Sequence, residues 1–197
     1  MINSFSKPFW KGFAIFTKNL QLKSVLSEQQ LGITIKRLAH QILENNNDLV
    51  NTVLIGLQPR GIYISDRIVS AIKKDFPTIK VQYGKLDITF YRDDVRKELR
   101  IANQTDISFS IEGKNVVLID DVLYTGRTIR AALDALQDFG RPEKVELCVL
   151  IDRRFRRQLP IQPDYVGRVV DSFVSQKVKV LWKEKEGRDE VVLLDDN

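Results

Sequence analysis

Residues 115–128 read Asn115-Val116-Val117-Leu118-Ile119-Asp120-Asp121-Val122-Leu123-Tyr124-Thr125-Gly126-Arg127-Thr128. Val116 to Ile119 lack the alternation of a strand with one wet face, which predicts a strand covered on both sides. A polar turn follows, then a helix carrying Ile129, Leu133 and Leu136 that closes at Gly140 and Pro142. Residues 145–151 form another apolar strand. Upstream, the β-branched run 52–55 ends at Gly56, and Gly61 opens a helical pattern through Ile64, Ile68 and Ile72. Two strand-turn-helix units with continuous apolar strands predict an α/β fold with a parallel sheet flanked by helices, in which ligands bind beyond the carboxyl ends of the strands.

Outward from these units, Ser27 and Gln30 form a capping box ahead of Leu31, Ile35, Leu38 and Ile42, and Asn45-Asn46-Asn47 stops that helix. Residues 79–82 and 86–90 read as extended. The polar stretch 91–112 is too long for an ordinary connection and reads as a functional loop. From Gln176 onward the pattern predicts late strands.

The 197 residues fit one domain without disulfides. Cys148 and His40 are each the single residue of their type, which excludes an internal disulfide, Cys-rich zinc sites and any site needing two imidazoles. Cys148, inside an apolar strand, reads as a core thiol. No stretch reaches the roughly 18 apolar residues of a spanning helix, so no membrane role is expected and the cytoplasm is the expected compartment. Of the net charge of +5, four lysines of residues 1–24 supply most, and the remainder is nearly neutral with 27 basic against 26 acidic residues. Residues 1–25 read as a basic, aromatic extension with Phe5, Phe9, Trp10, Phe13 and Phe16, too weakly apolar for a signal peptide. Residues 26–197 read as the functional domain.

The chemistry is concentrated at 120–128. A glycine turn with Thr125 and Thr128 at a helix N-terminus presents free amides and a favourable dipole to a phosphate monoester. Two adjacent carboxylates would repel that phosphate and suit neutral hydroxyls, or a metal, a few ångströms away. The pattern asks for a sugar phosphate, with the diol on Asp120 and Asp121 and the phosphate on the turn. A nucleotide P-loop fails because its lysine and first glycine are missing, and a receiver domain places its acidic pair near its first strand. A simple helix cap explains one carboxylate but not two plus a glycine turn.

The segment 116–128 closely resembles the phosphoribosyl diphosphate (PRPP) signature of type I phosphoribosyltransferases, and scattered further matches run in order over roughly residues 27–195. Several fall on the branch of that family whose members are uracil phosphoribosyltransferases and also regulate pyrimidine operons: Arg37 to His40, Arg60 to Tyr63, Leu86 to Asp94, Leu150 to Arg153 and Asp164 to Gly167. The resemblance implies the type I fold, with a small hood and a flexible loop, and Mg²⁺ arriving with PRPP rather than on protein ligands. It assigns PRPP to Asp120, Asp121, Val122, Leu123, Tyr124, Thr125, Gly126, Arg127 and Thr128. It assigns the leaving diphosphate to Gln58, Pro59, Arg60, Gly61, Tyr91 and Arg92, with Asp120, Asp121 and Arg60 as the catalytic set. Asp93 and Asp94 would lie near the magnesium, with solvent as the alternative.

The base would lie against Arg153, Tyr165 and Val166. Hypoxanthine and guanine enzymes of the family have aspartate where Tyr124 stands and lysine where Asp152 stands, so the implied substrate is uracil and the product UMP. A regulator's RNA face would draw on Lys36, Arg37, His40, Arg153, Arg154, Arg156 and Arg157, binding pyrimidine operon messenger RNA in response to uridine nucleotides. Family members pair as dimers or larger homo-oligomers, and the same is expected here.

Overall fold

A computed structural model describes residues 22–92, 104–172 and 176–195. In chain order the elements are β1 (Leu22–Leu26), α1 (Glu28–Asn45), β2 (Thr52–Leu57), α2 (Gly61–Asp75), β3 (Gln82–Leu86), β4 (Asn115–Leu123), α3 (Arg127–Leu136), β5 (Lys144–Arg153), β6 (Tyr165–Val170), β7 (Gln176–Leu181), the single turn α4 (Lys183–Glu186) and β8 (Glu190–Asp195). Five of the strands form a parallel sheet in the order β3-β2-β4-β5-β6.

Burial on both faces explains the unbroken apolar strands. One face carries α1 and α2 over a core that includes Leu38, Ile42, Leu54, Ile64, Ile68, Ile119 and Cys148. The other carries α3 with the returning residues Ile107, Phe109 and Ile111, packed on Val53, Ile55, Val116, Leu118 and Val149. The Cys148 thiol is fully buried, and desolvation pushes its pKa up, as a core thiol requires.

β1, β8 and β7 form a separate antiparallel sheet, the hood, whose Val180, Trp182 and Val191 continue the core on the α1 and α2 side. β1 pairs with β8, so residue 25, where the sequence reading ends the extension, lies inside a strand. Residues 1–21, with most of the basic aromatic extension, lie outside the described residues, as do Asp93 and Asp94.

The capping box forms as expected: the Gln30 amide donates to Ser27 Oγ at 3.3 Å and the Ser27 amide to Gln30 Oε1 at 3.0 Å. The two extended segments expected near 79–90 differ from the structure, which has one strand at Gln82–Leu86 followed by a 3-10 turn at Thr89–Tyr91. Asp87 causes the turn, since its Oδ1 accepts from both the Thr89 amide at 2.8 Å and the Thr89 hydroxyl at 2.6 Å, drawing the chain out of the strand.

From β2 the chain crosses outward to β3, and it then returns to β4 on the other side of β2. The strand order therefore reverses between β2 and β4, where parallel sheets open a crevice at their carboxyl ends. The loop after β2 and the 120–128 segment, which ends β4 and opens α3, both lie at that crevice.

Candidate active site

Asp120 and Asp121 stand at the end of β4, both buried. Gly61, the first residue of α2, allows the close approach that encloses them: a Cβ there would lie 2.6 Å from the Ile119 carbonyl oxygen and 3.0 Å from Asp120 Oδ1. Asp120 Oδ1 accepts the Asp121 amide at 2.8 Å. Burial, reinforced by the Asp121 charge, raises the Asp120 pKa well above the carboxylate range, while the Asp121 amide and the Arg92 charge act in the opposite sense. Burial also raises the Asp121 pKa, but Arg60 restrains it through charge and a hydrogen bond from Nε to Oδ2 at 3.2 Å. Two crowded carboxyls cannot both ionise cheaply, so the pair is suited to accepting from neutral hydroxyls.

Directly beyond the pair, Gly126 takes φ +91° at the N-cap of α3, a left-handed conformation that favours glycine. The first bond of the helical ladder runs from the Arg130 amide to the Gly126 carbonyl at 3.0 Å, which leaves the amides of Thr128 and Ile129 facing outward. They open onto a cavity of about 460 Å³ lined by Arg92, Asp120 and residues 122–129, with Gln158 on its rim. The cavity wall therefore combines the Asp120 carboxyl with helix-terminal amides. Val122 and Leu123 pack their side chains into the two cores, leaving their backbone for the cavity wall.

Neighbouring residues fix this turn in ways the sequence did not reveal. Thr125 O accepts the amides of Gln158 at 3.0 Å and Leu159 at 3.3 Å. Arg127 Nε donates to Gln158 Oε1 at 2.8 Å. Arg157 Nη1 donates to the Tyr124 carbonyl at 2.6 Å, and its Nη2 is paired with the buried Asp152 carboxylate. The Arg153 guanidinium lies 4.0 Å from the centre of the Tyr124 ring, with Nε on Ser172 Oγ at 2.9 Å and Nη2 on the Gln176 carbonyl at 2.8 Å. Two arginines thus hold Tyr124, one by its backbone and one by its ring.

The residues expected around the leaving diphosphate divide. Arg60 is beside the acidic pair, and it also reaches the hood through Nη1 to Glu186 Oε1 at 3.3 Å and Nη2 to the Val180 carbonyl. Gln58 turns aside, its Nε2 donating to the Gln104 carbonyl at 2.8 Å. Pro59 follows a cis peptide bond and is exposed. Arg92 lines the cavity. Tyr91 does not: its hydroxyl bonds Asp138, beyond α3, and its ring packs on the α3-side core.

The residues expected around the base do not gather. Tyr165 pairs with Cys148, four positions below the level where Val169 pairs with Asp152, so it sits toward the amino ends of the strands. Its hydroxyl donates to Glu146 Oε2 at 2.7 Å and accepts from Asn46 Nδ2 at 2.9 Å, inside a buried polar group that also holds Thr52. Tyr165 is therefore corrected from a base contact to a core residue, and Val166 packs into the α3-side core below the crevice. Arg153 alone of the three adjoins the turn.

The expected RNA face also changes. Arg153 is buried and Arg157 is engaged with Tyr124 and Asp152, so neither contributes to an exposed basic surface. Arg154 is exposed and paired with Asp171 at 3.0 Å, while Arg156 and Phe155 are exposed beside it. On α1, Arg37 Nη2 donates to the Val166 and Gly167 carbonyls at 3.1 and 2.6 Å, Lys36 is exposed, and His40 lies 3.4 Å from Asp75 against the edge of Phe76.

Among the described residues no three His, Cys, Asp or Glu side chains converge to hold a metal ion, and no helix is long and apolar enough to cross a membrane.

Comparison with known proteins agrees with this geometry. The family model for the phosphoribosyl transferase domain matches residues 21–185. Bifunctional protein PyrR of Picosynechococcus sp. is 48% identical over 171 residues, 86% of this chain and 96% of its own length. The protein of the same name from Chloroflexus aurantiacus is 47% identical over 174 residues, covering 87% and 94%. The structure of Trypanosoma cruzi hypoxanthine phosphoribosyltransferase superposes with a TM-score of 0.67 at 20% identity, covering 89% and 97% of the two chains, a likeness of fold. By the family model over residues 21–185 and these relatives, the chain belongs to the type I phosphoribosyltransferase family, among the PyrR proteins.

Proposed function

We propose that the chain transfers the 5-phosphoribosyl group of PRPP to uracil, forming UMP and diphosphate, and that it binds pyrimidine operon RNA as a regulator. One observation carries the catalytic reading. The buried Asp120 carboxyl, with Asp121 next to it at the end of β4, and the amides of a glycine-turned helix start meet at one cavity of sugar-phosphate size that Asp120 lines, at the reversal of the parallel sheet. The ribose hydroxyls meet Asp120 and Asp121, and the 5-phosphate meets the turn at 125–129. Arg60 and Arg92 supply positive charge where the diphosphate leaves.

The donor set would suit Mg²⁺ carried on PRPP oxygens, since the described cavity residues offer the Asp120 carboxyl and backbone amides rather than a cage of ligands. Bound so, the ion neutralises charge on the diphosphate. The chain's own work is to orient C1 toward the base nitrogen and hold the sugar while positive charge develops on it. Asp152 supports uracil over a purine: its carboxylate is buried, paired with Arg157 and at the end of β5, and it cannot donate to a purine oxygen as a lysine would.

The test is diphosphate release from PRPP and Mg²⁺ with uracil, hypoxanthine, guanine or orotate. Release with uracil alone supports the reading; release with a purine alone refutes the base assignment.

The regulatory half rests on the exposed basic and aromatic cluster Arg154, Phe155 and Arg156, and on the name shared by the relatives at 48 and 47% identity. It requires RNA affinity that falls with salt, and a log–log slope that decreases by about 1 in Arg156→Ala. Salt-insensitive or absent binding removes it. A homo-oligomer of at least two copies is part of this proposal, to be read from sedimentation equilibrium.

A further inference from the structure

We propose that Trp182 is a positioning residue for Asp121, its buried indole N–H facing the carboxylate from the hood and fixing it for the sugar hydroxyls. The proposal rests on the reading of Asp121 as a ribose ligand.

Trp182 is fully buried, yet its Nε1 closes no regular hydrogen bond. A buried donor left open in this way is costly and calls for an explanation. Its surroundings supply one. The Trp182 amide donates to Glu186 Oε2 at 2.9 Å, the other oxygen of Glu186 receives Arg60 Nη1 at 3.3 Å, and Arg60 Nε reaches Asp121 Oδ2 at 3.2 Å. Trp182, Glu186, Arg60 and Asp121 therefore form one continuous chain of contacts between hood and sheet. The indole N–H acts on Asp121 in the sense of a donor, lowering its pKa alongside Arg60 and against the effect of burial.

The ring cannot readily turn away. The Arg67 guanidinium lies 4.6 Å from its centre, the Tyr63 ring lies tilted at 36° with its centre 6.0 Å away, and Arg67 is itself gripped by Glu184 at 2.9 Å and Asp189 at 2.9 Å. A neutral donor has a particular use here. Arg60 serves both Asp121 and the hood and is also the cation expected to meet the diphosphate, so the indole can hold the carboxylate's orientation when the guanidinium shifts. The charged groups around Asp121 are Asp120 on β4, Arg60 before α2, and Glu186 on α4, with Lys179 of β7 bound to Glu186 at 3.4 Å.

Two measurements test the contact. In a Trp10→Phe protein, Trp182 is the single tryptophan, and its emission should change with pH as Asp121 titrates, a change that is absent when Asp121→Asn is added. In Trp182→Phe, kcat/KM for PRPP should fall roughly three- to tenfold, the loss expected for one hydrogen bond, and the acid limb of its pH profile should move to higher pH because Asp121 loses a donor. An emission that ignores Asp121, or an acid limb that stays in place, overturns the proposal. If the unsubstituted protein releases no diphosphate with any base while the Asp121-dependent change persists, the transferase reading fails and the Trp182 contact stands.

Discussion

Asp120→Asn should make the protein more stable and nearly inactive. The Asp120 carboxyl is buried, and its pKa in the fold lies well above the value of about 3.9 for an unfolded chain. The folded state therefore binds this proton more tightly than the unfolded state. The stability tied to the proton is fully present below the unfolded pKa and is lost as pH rises through the folded one, at up to about 1.4 kcal/mol per pH unit. Asparagine has no proton to lose. Its oxygen still accepts the Asp121 amide, and its amide group offers Asp121 a donor where a like charge stood. Each tenfold weakening of the acid corresponds to about 1.4 kcal/mol, or about 3–6 °C in a domain of this size. The difference in Tm between variant and parent should thus be small near pH 4 and should grow as the pH rises, read by thermal melts across buffers. Diphosphate release should meanwhile fall by about a hundredfold, since a sugar hydroxyl loses its acceptor. A variant whose Tm falls at pH 8, or whose gain does not increase with pH, refutes the account of the pair; a stabilised variant with full activity refutes the ribose role.

Gly61→Ala should lower stability by about 1–3 kcal/mol and raise KM for PRPP, because the added methyl meets the Ile119 carbonyl at 2.6 Å and must push α2 away from Asp120; melts and steady-state kinetics measure both. Arg157→Ala should cost about 1–3 kcal/mol by leaving Asp152 buried without its partner, and a second change, Asp152→Asn, should recover part of it in a double-mutant cycle. Additive losses would show that the pair does not interact. Ser27→Ala should remove about 1 kcal/mol, or about 2–4 °C in Tm, with no change in KM, since the capping box lies at the start of α1 rather than in the crevice.

Much of the site was legible because local chemistry carried it. The apolar run before Asp120, the glycine at 126 and the hydroxyls at 125 and 128 are neighbours in sequence, so their joint role needs no tertiary information. The paired strand-turn-helix units predicted the parallel sheet by the same logic. What escaped were contacts between distant segments. Nothing near Tyr165 shows that its hydroxyl meets Glu146 and Asn46 below the crevice, and the run at 153–157 reads as exposed charge until the fold turns Arg153 and Arg157 onto Tyr124. Arg157 and Asp152 lie only five residues apart, so their opposite charges could have suggested a pair. The hood's part in the site depends on Glu186 and the Val180 carbonyl meeting Arg60 across 126 and 120 residues of chain, a relation no local pattern encodes. The 3-10 turn after β3 was readable in principle, because Asp87 with Thr89 two residues later is a turn signal, but the apolar run at 86–90 concealed it.

The central claim is that Asp120 and Asp121 with the 125–129 turn form a PRPP site serving uracil. It is tested most directly by incubating the purified chain with PRPP, Mg²⁺ and uracil and measuring diphosphate and UMP, with Asp121→Asn in parallel. The account predicts equal amounts of both products from the parent and at most about a hundredth of that rate from the variant. Equal rates from the two proteins, or diphosphate without UMP, would contradict it.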